Sequence, residues 1–370
     1  MKLLYITNYP APYRVDLFNE LGKYCDLTVT FEEHPEEQTH RDYSWFNLDY
    51  QNFRPIYLKR LKIKKHLNIC YEILSVLKEK FDFIIVGIYS SLTSIIAMEY
   101  MKVNKIPYII QTDGGIIKNG KSLIEKLKKK LISSADYWLS PSLTSDDYFY
   151  YYGASREKIF RYPFTSINLE EIITKPISNV EKQMTKEKLC VREEKMIVSV
   201  GQFIHRKGFD VLLEAVSNMA ENSFGFYIIG GEPTEEYLQY KEKYNLDNVH
   251  FVGFKSKKEL LSYYLAADLF VLPTREDIWG LVINEAMAYG LPVITTDTCV
   301  AGLELVAKID QKDCIVPSED PAALGLAIEK LFNSPDKMVE ISSRNLQTAK
   351  EYSIQAEAKS YIRTLESIKI

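Results

Sequence analysis

Short apolar runs alternate with amphipathic stretches along the whole chain, the order of strand and helix that a parallel α/β architecture requires. In the first half, apolar runs predict strands at Leu3–Thr7, Leu27–Phe31, Phe83–Gly87, Tyr108–Thr112, Tyr137–Ser140 and Ile159–Tyr162. Helical periodicity lies between them at Arg14–Tyr24, Leu67–Lys80, Leu92–Val103, Ser122–Ser133 and Thr144–Tyr152. Residues 168–194 are polar, charged and aperiodic, and read as a linker with a surface helix. The alternation then restarts. Strands are predicted at Lys195–Val200, Phe226–Gly230, Val249–Phe254, Leu269–Pro273, Pro292–Thr296 and Asp313–Pro317. The intervening helices are Phe209–Met219, Glu235–Tyr244, Ser256–Ala266, Leu281–Ala288 and Ala322–Phe332, with a helical tail at Lys337–Lys350 and Ile354–Ile368. Two doubly wound domains with a cleft between them follow from this pattern. The expected division is 1–169, a linker 170–194, a second domain 195–350, and a final helix 351–370.

At 370 residues the chain has room for two cores, and 46% apolar with 26% charged residues is an ordinary globular composition. A net charge of −4 does not suit a nucleic-acid partner. The charge is uneven: residues 1–169 carry roughly +4 and the remainder roughly −8. The five cysteines are scattered without CxxC spacing, which predicts reduced thiols and a cytoplasmic setting. The opening apolar run is too short for a secretory leader, and no segment approaches the ~18 residues of a membrane span. The five histidines form no i,i+4 pair and no HExxH, so no metal or other cofactor is expected.

The most informative stretch runs from Pro273 to Ile294. Asp277 and Glu285 stand either side of Gly280, where a turn opens into a helix that closes at Gly290. Carboxylates accept from hydroxyls, while the free N–H groups of Leu281 and Val282 at a helix entrance offer donors to an anion. The pair suits a ligand carrying both sugar hydroxyls and phosphates. Acid spacing alone is uninformative; the small residues around Glu285 and the Trp279-Gly280 step add the weight.

A second anchor follows the strand at Lys195–Val200. In Gly201-Gln-Phe-Ile-His-Arg206-Lys207-Gly208 the glycine turns the chain, and Arg206 and Lys207 precede a helix, where cations can meet a diphosphate. For an isolated Arg-Lys pair, a surface turn with solvated charges is the better explanation.

Taken together, these segments resemble retaining glycosyltransferase family 4, whose fold is GT-B. The family pattern Glu-x-Phe-Gly-Leu-x-x-x-Glu-Ala-Met-Ala-x-Gly-x-Pro-Val is matched by Asp277-Ile-Trp-Gly280-Leu-Val-Ile-Asn-Glu285-Ala-Met-Ala-Tyr-Gly290-Leu-Pro-Val293. The first acid is therefore Asp277 and not the adjacent Glu276. In the phosphate loop Lys207 matches, whereas Gln202 stands where many members have Arg, so Arg206 is the candidate second cation. The resemblance implies two Rossmann-like domains facing a central cleft and a last helix that crosses back to the first domain. It also implies a metal-independent retaining transfer from a nucleotide-diphosphate sugar, which is a substrate and not a cofactor. Asp277 would contact donor-sugar hydroxyls, Glu285 the ribose hydroxyls, and Gly201, Arg206, Lys207, Gly280, Leu281 and Val282 the diphosphate. The acceptor would be a glycan, either free or lipid-linked, in cell-surface polysaccharide synthesis.

The first domain supplies acceptor candidates at carboxyl ends of strands: Asn8, Tyr13 and Arg14 after the first strand, and Tyr89 and Ser90 after the third. Asp113, in Gln111-Thr-Asp-Gly-Gly115, is where relatives place a catalytic loop, although an Asp-Gly turn accounts for it as well. The basic stretches Lys59–Lys65 and Lys118–Lys130 are either solvated faces or a docking surface for the inner face of an anionic membrane. Two rivals to transfer remain: a nucleotide-sugar epimerase or hydrolase, and a non-catalytic sugar-nucleotide-binding partner protein.

Overall fold

The computed structural model describes residues 1–35, 48–64, 67–117, 123–219, 223–309 and 311–368. The chain divides into two compact units, Met1–Asn168 with Ser353–Ile370, and Leu169–Tyr352.

In unit 1 the strands are β1 (Lys2–Thr7), β2 (Asp26–Phe31), β3 (Arg54–Tyr57), β4 (Leu61–Lys64), β5 (Leu67–Ile69), β6 (Phe83–Val86), β7 (Ile109–Gln111), β8 (Tyr137–Ser140) and β9 (Ile159–Arg161). The helices are α1 (Pro12–Leu21), α2 (Ile73–Val76), α3 (Leu92–Val103), α4 (Leu123–Ile132) and α5 (Leu143–Tyr151). Seven strands form one parallel sheet in the order β3-β2-β1-β6-β7-β8-β9, and β4 and β5 pair separately and antiparallel. Parallel strands buried on both faces read as unbroken apolar runs, and Leu3, Leu4, Tyr5 and Ile6 of β1 are all buried.

Unit 2 begins with α6 (Asn179–Lys188), then β10 (Lys195–Val200), α7 (Phe209–Asn218), β11 (Phe224–Ile229), α8 (Glu235–Lys243), β12 (Val249–Val252) and α9 (Lys257–Ala266). It continues through β13 (Leu269–Leu272), α10 (Leu281–Ala288), β14 (Val293–Thr296), β15 (Ile315–Val316), α11 (Pro321–Phe332) and α12 (Pro335–Glu351). The sheet order is β12-β11-β10-β13-β14-β15, all parallel. The last helix, α13 (Ile354–Ser367), belongs to unit 1 and packs on α1.

Both sheets wind outward in two directions from a central first strand. The strand order therefore reverses between β1 and β6 in unit 1, and between β10 and β13 in unit 2. Ligands bind open α/β sheets outside the carboxyl ends of the strands at such a point. The loops that matter most are those that leave β10 and β13.

Four stretches differ from the sequence expectation, among them β4, which was not predicted. Leu67–Lys80, read as one helix, splits into β5, which pairs antiparallel with β4, and the short α2. β3 was not predicted; Arg-Pro-Ile-Tyr is a short edge strand without a clean apolar face. Residues 170–194, expected as a linker, are grouped with unit 2. There Lys182 and Lys186 of α6 reach the Asp268 carboxylate at 3.1 and 2.7 Å, and the Met196 amide donates to it at 3.0 Å. Burial alone would raise the Asp268 pKa, but the two lysines outweigh it and hold it below the usual range.

Candidate functional site

Two loops meet at the point of reversal in unit 2. The loop after β10 makes a short 3-10 turn over His205–Lys207 and ends at Gly208. Gly208 has φ +67°, and a Cβ there would lie 2.0 Å from the Pro273 carbonyl oxygen. Only glycine lets this loop pass so close to the one leaving β13. The two are then tied together: the Arg275 amide and the Thr274 hydroxyl both donate to the Arg206 carbonyl, at 2.8 and 2.9 Å. Arg275 also grips Asp210 with two parallel bonds of 2.8 and 2.6 Å, and reaches Glu319 at 2.7 Å. Such forked pairs fix geometry as well as charge. Burial pushes the Asp210 carboxyl up, but the Arg275 fork more than offsets this and holds it below its ordinary value.

This frame aims three charges at one another. Lys207 Nζ donates to Asp277 Oδ2 at 2.6 Å, and Arg206 Nη1 lies 3.4 Å from Asp277 Oδ1 while donating to the Glu276 carbonyl at 2.8 Å. Asp277 is buried, and its backbone is held by the Thr298 carbonyl on one side and the Val300 amide on the other. Arg206, whose direction the sequence leaves open, joins this cluster and stays 44% exposed, so part of its guanidinium remains open to a ligand. Asp277, not Glu276, carries the carboxylate of the cluster. Gly201 stands at the head of the loop, where an added Cβ would lie 3.4 Å from the Cδ and Cε of Lys207.

Helix α10 starts at the same place. Gly280, at φ +102°, forms its N-cap, and the first amide to bond back is that of Ile283, to the Gly280 carbonyl at 2.9 Å. The amides of Leu281 and Val282 precede any helical acceptor and are available to an anion. Trp279 is buried behind them, with Nε1 donating to Asn284 Oδ1 at 2.8 Å, and this locks the helix entrance. Glu285, one turn in, accepts from the Tyr264 hydroxyl at 2.9 Å. Tyr264 is itself buried and stacked on Tyr289, with centroids 5.5 Å apart. Burial, and then the Glu285 charge, push the Tyr264 hydroxyl far above its ordinary pKa, so it remains a donor.

In unit 1 the candidates gather at the carboxyl ends of β1, β6 and β7. The Asn8 carbonyl accepts from the Glu32 and Glu33 amides at 2.8 Å each. Tyr13 packs edge-on to Phe164, Ser90 is exposed, and the Tyr89 and Tyr148 hydroxyls bond to each other. Arg14, the remaining acceptor candidate, lies deeper. Its side chain is only 7% exposed, and its guanidinium pairs with Asp113. Asp113 is therefore more than a turn residue, since it is the outer partner of a buried cation. The Tyr162 hydroxyl lies 3.3 Å from the same carboxylate oxygen and donates to the Thr112 carbonyl at 2.7 Å.

Sequence reasoning missed Tyr264, the Arg275–Asp210 brace and the residues around Arg14. Each acts through a distant partner, from 21 positions away for Tyr264 on Glu285 to more than three hundred for Arg14 beside Glu357, and leaves no local spacing to read. Among the described residues no group of three or more His, Cys, Asp or Glu side chains is arranged to hold a metal ion. No helix among them is long and apolar enough to cross a membrane.

Residues 181–348 match the family described as Glycosyl transferases group 1. An uncharacterized glycosyltransferase of Haemophilus influenzae is 28% identical over 182 residues, which cover 48% of this chain and 51% of that one. The lipopolysaccharide core biosynthesis mannosyltransferase LpsB of Rhizobium meliloti is 25% identical over 186 residues, covering 47% and 52%. The chain thus spans about half the length of the curated relatives it matches. Among solved structures, Anabaena HepE in complex with UDP superposes with a TM-score of 0.79 over 100% of both chains at 15% identity. Residues 181–348 of the second unit thus resemble the glycosyl transferases of group 1, and the fold of the chain is GT-B.

Proposed function

We propose that this protein transfers a sugar, with retention of anomeric configuration and without a metal, from a nucleoside-diphosphate sugar to a hydroxyl of a glycan acceptor. The observation that carries this reading is the Lys207–Asp277–Arg206 cluster beside the free amides of Leu281 and Val282. It joins cations and N–H donors for a diphosphate to a carboxylate for hydroxyls. In the free protein Asp277 holds Lys207 in place. On binding, the lysine and the part-exposed Arg206 meet the phosphates, and Asp277 accepts from donor-sugar hydroxyls. Charge grows on the diphosphate as the glycosidic bond breaks, so these fixed cations and amides stabilise the transition state more than the ground state. Glu285, aimed by Tyr264, holds the ribose hydroxyls. Asp113 acts on the acceptor side electrostatically. Asn8, Tyr13, Tyr89 and Ser90 line the acceptor end, and Arg14 holds Asp113. The UDP bound by HepE supports a nucleoside diphosphate as the leaving group, and the lipopolysaccharide role of LpsB supports a cell-surface glycan as acceptor.

A lipid-linked acceptor would bring the protein to an anionic membrane, and α4 supports this. Leu123, Ile124 and Leu127 are 83%, 67% and 46% exposed, with Lys126 and Lys129 exposed on the same helix. Apolar side chains flanked by lysines suit an anionic bilayer surface. Residues 118–122 and 65–66 of the two basic stretches lie outside the described residues. Leu123→Asp with Leu127→Asp should abolish flotation with anionic vesicles at low salt; unchanged flotation removes the membrane from the proposal.

Transfer itself is tested by incubating the protein with a panel of UDP- and GDP-sugars, with and without cell-envelope glycolipids, and resolving the products. A glycosylated acceptor of unchanged anomeric configuration, lost in Asp113→Asn, supports the reading. Free sugar or an epimer in place of transfer would establish the hydrolase or epimerase alternative.

A further inference from the structure

Behind Asp113, unit 1 holds a row of three charged side chains. Asp113 pairs with Arg14, and Arg14 Nη1 lies 3.9 Å from Glu357 Oε1 on α13. Exposure falls along the row: the Asp113 side chain is 31% exposed, Arg14 7% and Glu357 1%. Glu357 Oε1 has no hydrogen-bond partner among the described residues. Its surroundings come from every element packed on it. Arg14 and Tyr13 lie on α1, Tyr5 on β1, Tyr162 just after β9, and Tyr361 on α13 itself. The Thr165 amide bonds the carboxyl. Arg14 is the one cation of this set, and burial pushes the hydroxyls of Tyr5, Tyr13, Tyr162 and Tyr361 upward, so they stay neutral.

One guanidinium thus stands between two carboxyl groups. With both ionised, the buried set would carry an excess negative charge in low dielectric, which is costly. The better solvated Asp113, bonded directly to the guanidinium, is the acid that ionises first. Glu357, almost fully buried and too far from Arg14 for a hydrogen bond, keeps its proton.

We infer that Glu357 is a positioning residue for Asp113: neutral, it leaves Arg14 to hold the Asp113 carboxylate in place, and ionised, it competes for the guanidinium and loosens that carboxylate. Burial, partly offset by Arg14, raises the Glu357 pKa to about 8, which places the change near neutral pH. This rests on the reading of Asp113 given above. That reading has its own test in transfer by Asp113→Asn, whereas the coupling is read without turnover, so the two can fail separately.

The experiment is a carbon-13 NMR titration of the full chain labelled at Asp and Glu carboxyls, through the pH range around 8. The Asp113 resonance should show an inflection at the pH where Glu357 titrates, and Glu357→Gln should remove it. An Asp113 resonance that is flat through the Glu357 titration, or that inflects identically in Glu357→Gln, overturns the inference. Should that variant fail to fold, backbone assignment of the wild type supplies the same comparison: the two carboxyl resonances must inflect together, and separate midpoints overturn it.

Discussion

At the scale of single residues, the account depends on which carboxylate carries the donor site. Asp277 is buried and paired to Lys207, whereas Glu276 contributes its carbonyl to Arg206. Asp277→Asn should therefore reduce transfer at least ~100-fold, the order lost when a fixed electrostatic contact is removed from a transition state. Glu276→Gln should leave it within about twofold, because the carbonyl survives. Steady-state kinetics on the two variants checks this. Tyr264 is the second test. A hydrogen bond to a charged group contributes about 1.5–3 kcal/mol, so Tyr264→Phe should weaken nucleoside-diphosphate binding by at least about tenfold with the circular dichroism unchanged. Calorimetric titration with UDP would reveal the loss; equal affinity would remove Tyr264 from the site.

Among elements, the loops leaving β10 and β13 are the structural core of the proposal, and Gly208 is where they touch. Any side chain there both demands a left-handed backbone and meets the Pro273 carbonyl. Gly208→Ala should cost about 1–3 kcal/mol of stability by strain alone, more if the loops separate. Chemical denaturation measures it, and an unchanged midpoint would mean the loops do not pack this way. Most of this architecture was legible in the chain. The apolar runs of β10 and β13, the glycines at 201, 208, 280 and 290, and the uninterrupted periodicity of α10 are local signals, each produced by a local steric or burial requirement. The points that escaped are long-range. Arg14 reads as a surface cation until α13, more than three hundred positions away, covers it. Lys186 reads as a linker lysine until Asp268 closes over it. The split of Leu67–Lys80 into β5 and α2 turns on strand pairing with β4, a tertiary contact that periodicity does not encode.

On the scale of the whole molecule, α13 joins the end of the sequence to the core of unit 1 and buries Glu357 there. The unfolded chain releases the Glu357 proton near the ordinary 4.5, while the folded chain holds it to about 8. Between these values the folded state binds the extra proton, so stability from this group is full at the acid end and falls as pH rises, levelling off above about 8. Glu357→Gln has no proton to lose. The melting temperature of the wild type relative to this variant should fall steadily as pH rises from about 5 to 8 in scanning calorimetry, and a pH-independent difference would contradict the burial of this carboxyl.

The central claim is that the cluster of Lys207, Arg206 and Asp277 binds a nucleoside-diphosphate sugar, and the most direct measurement is a thermal-shift panel of UDP- and GDP-sugars on the wild type and on Lys207→Ala. A ligand present at about 100 times its dissociation constant stabilises by about 2.7 kcal/mol, a readily visible shift. At least one nucleotide sugar should raise the wild-type melting temperature, and the rise should disappear in Lys207→Ala, whose unliganded melting temperature falls because the buried Asp277 loses its partner. No shift with any nucleotide sugar, or an equal shift in the variant, would contradict the claim.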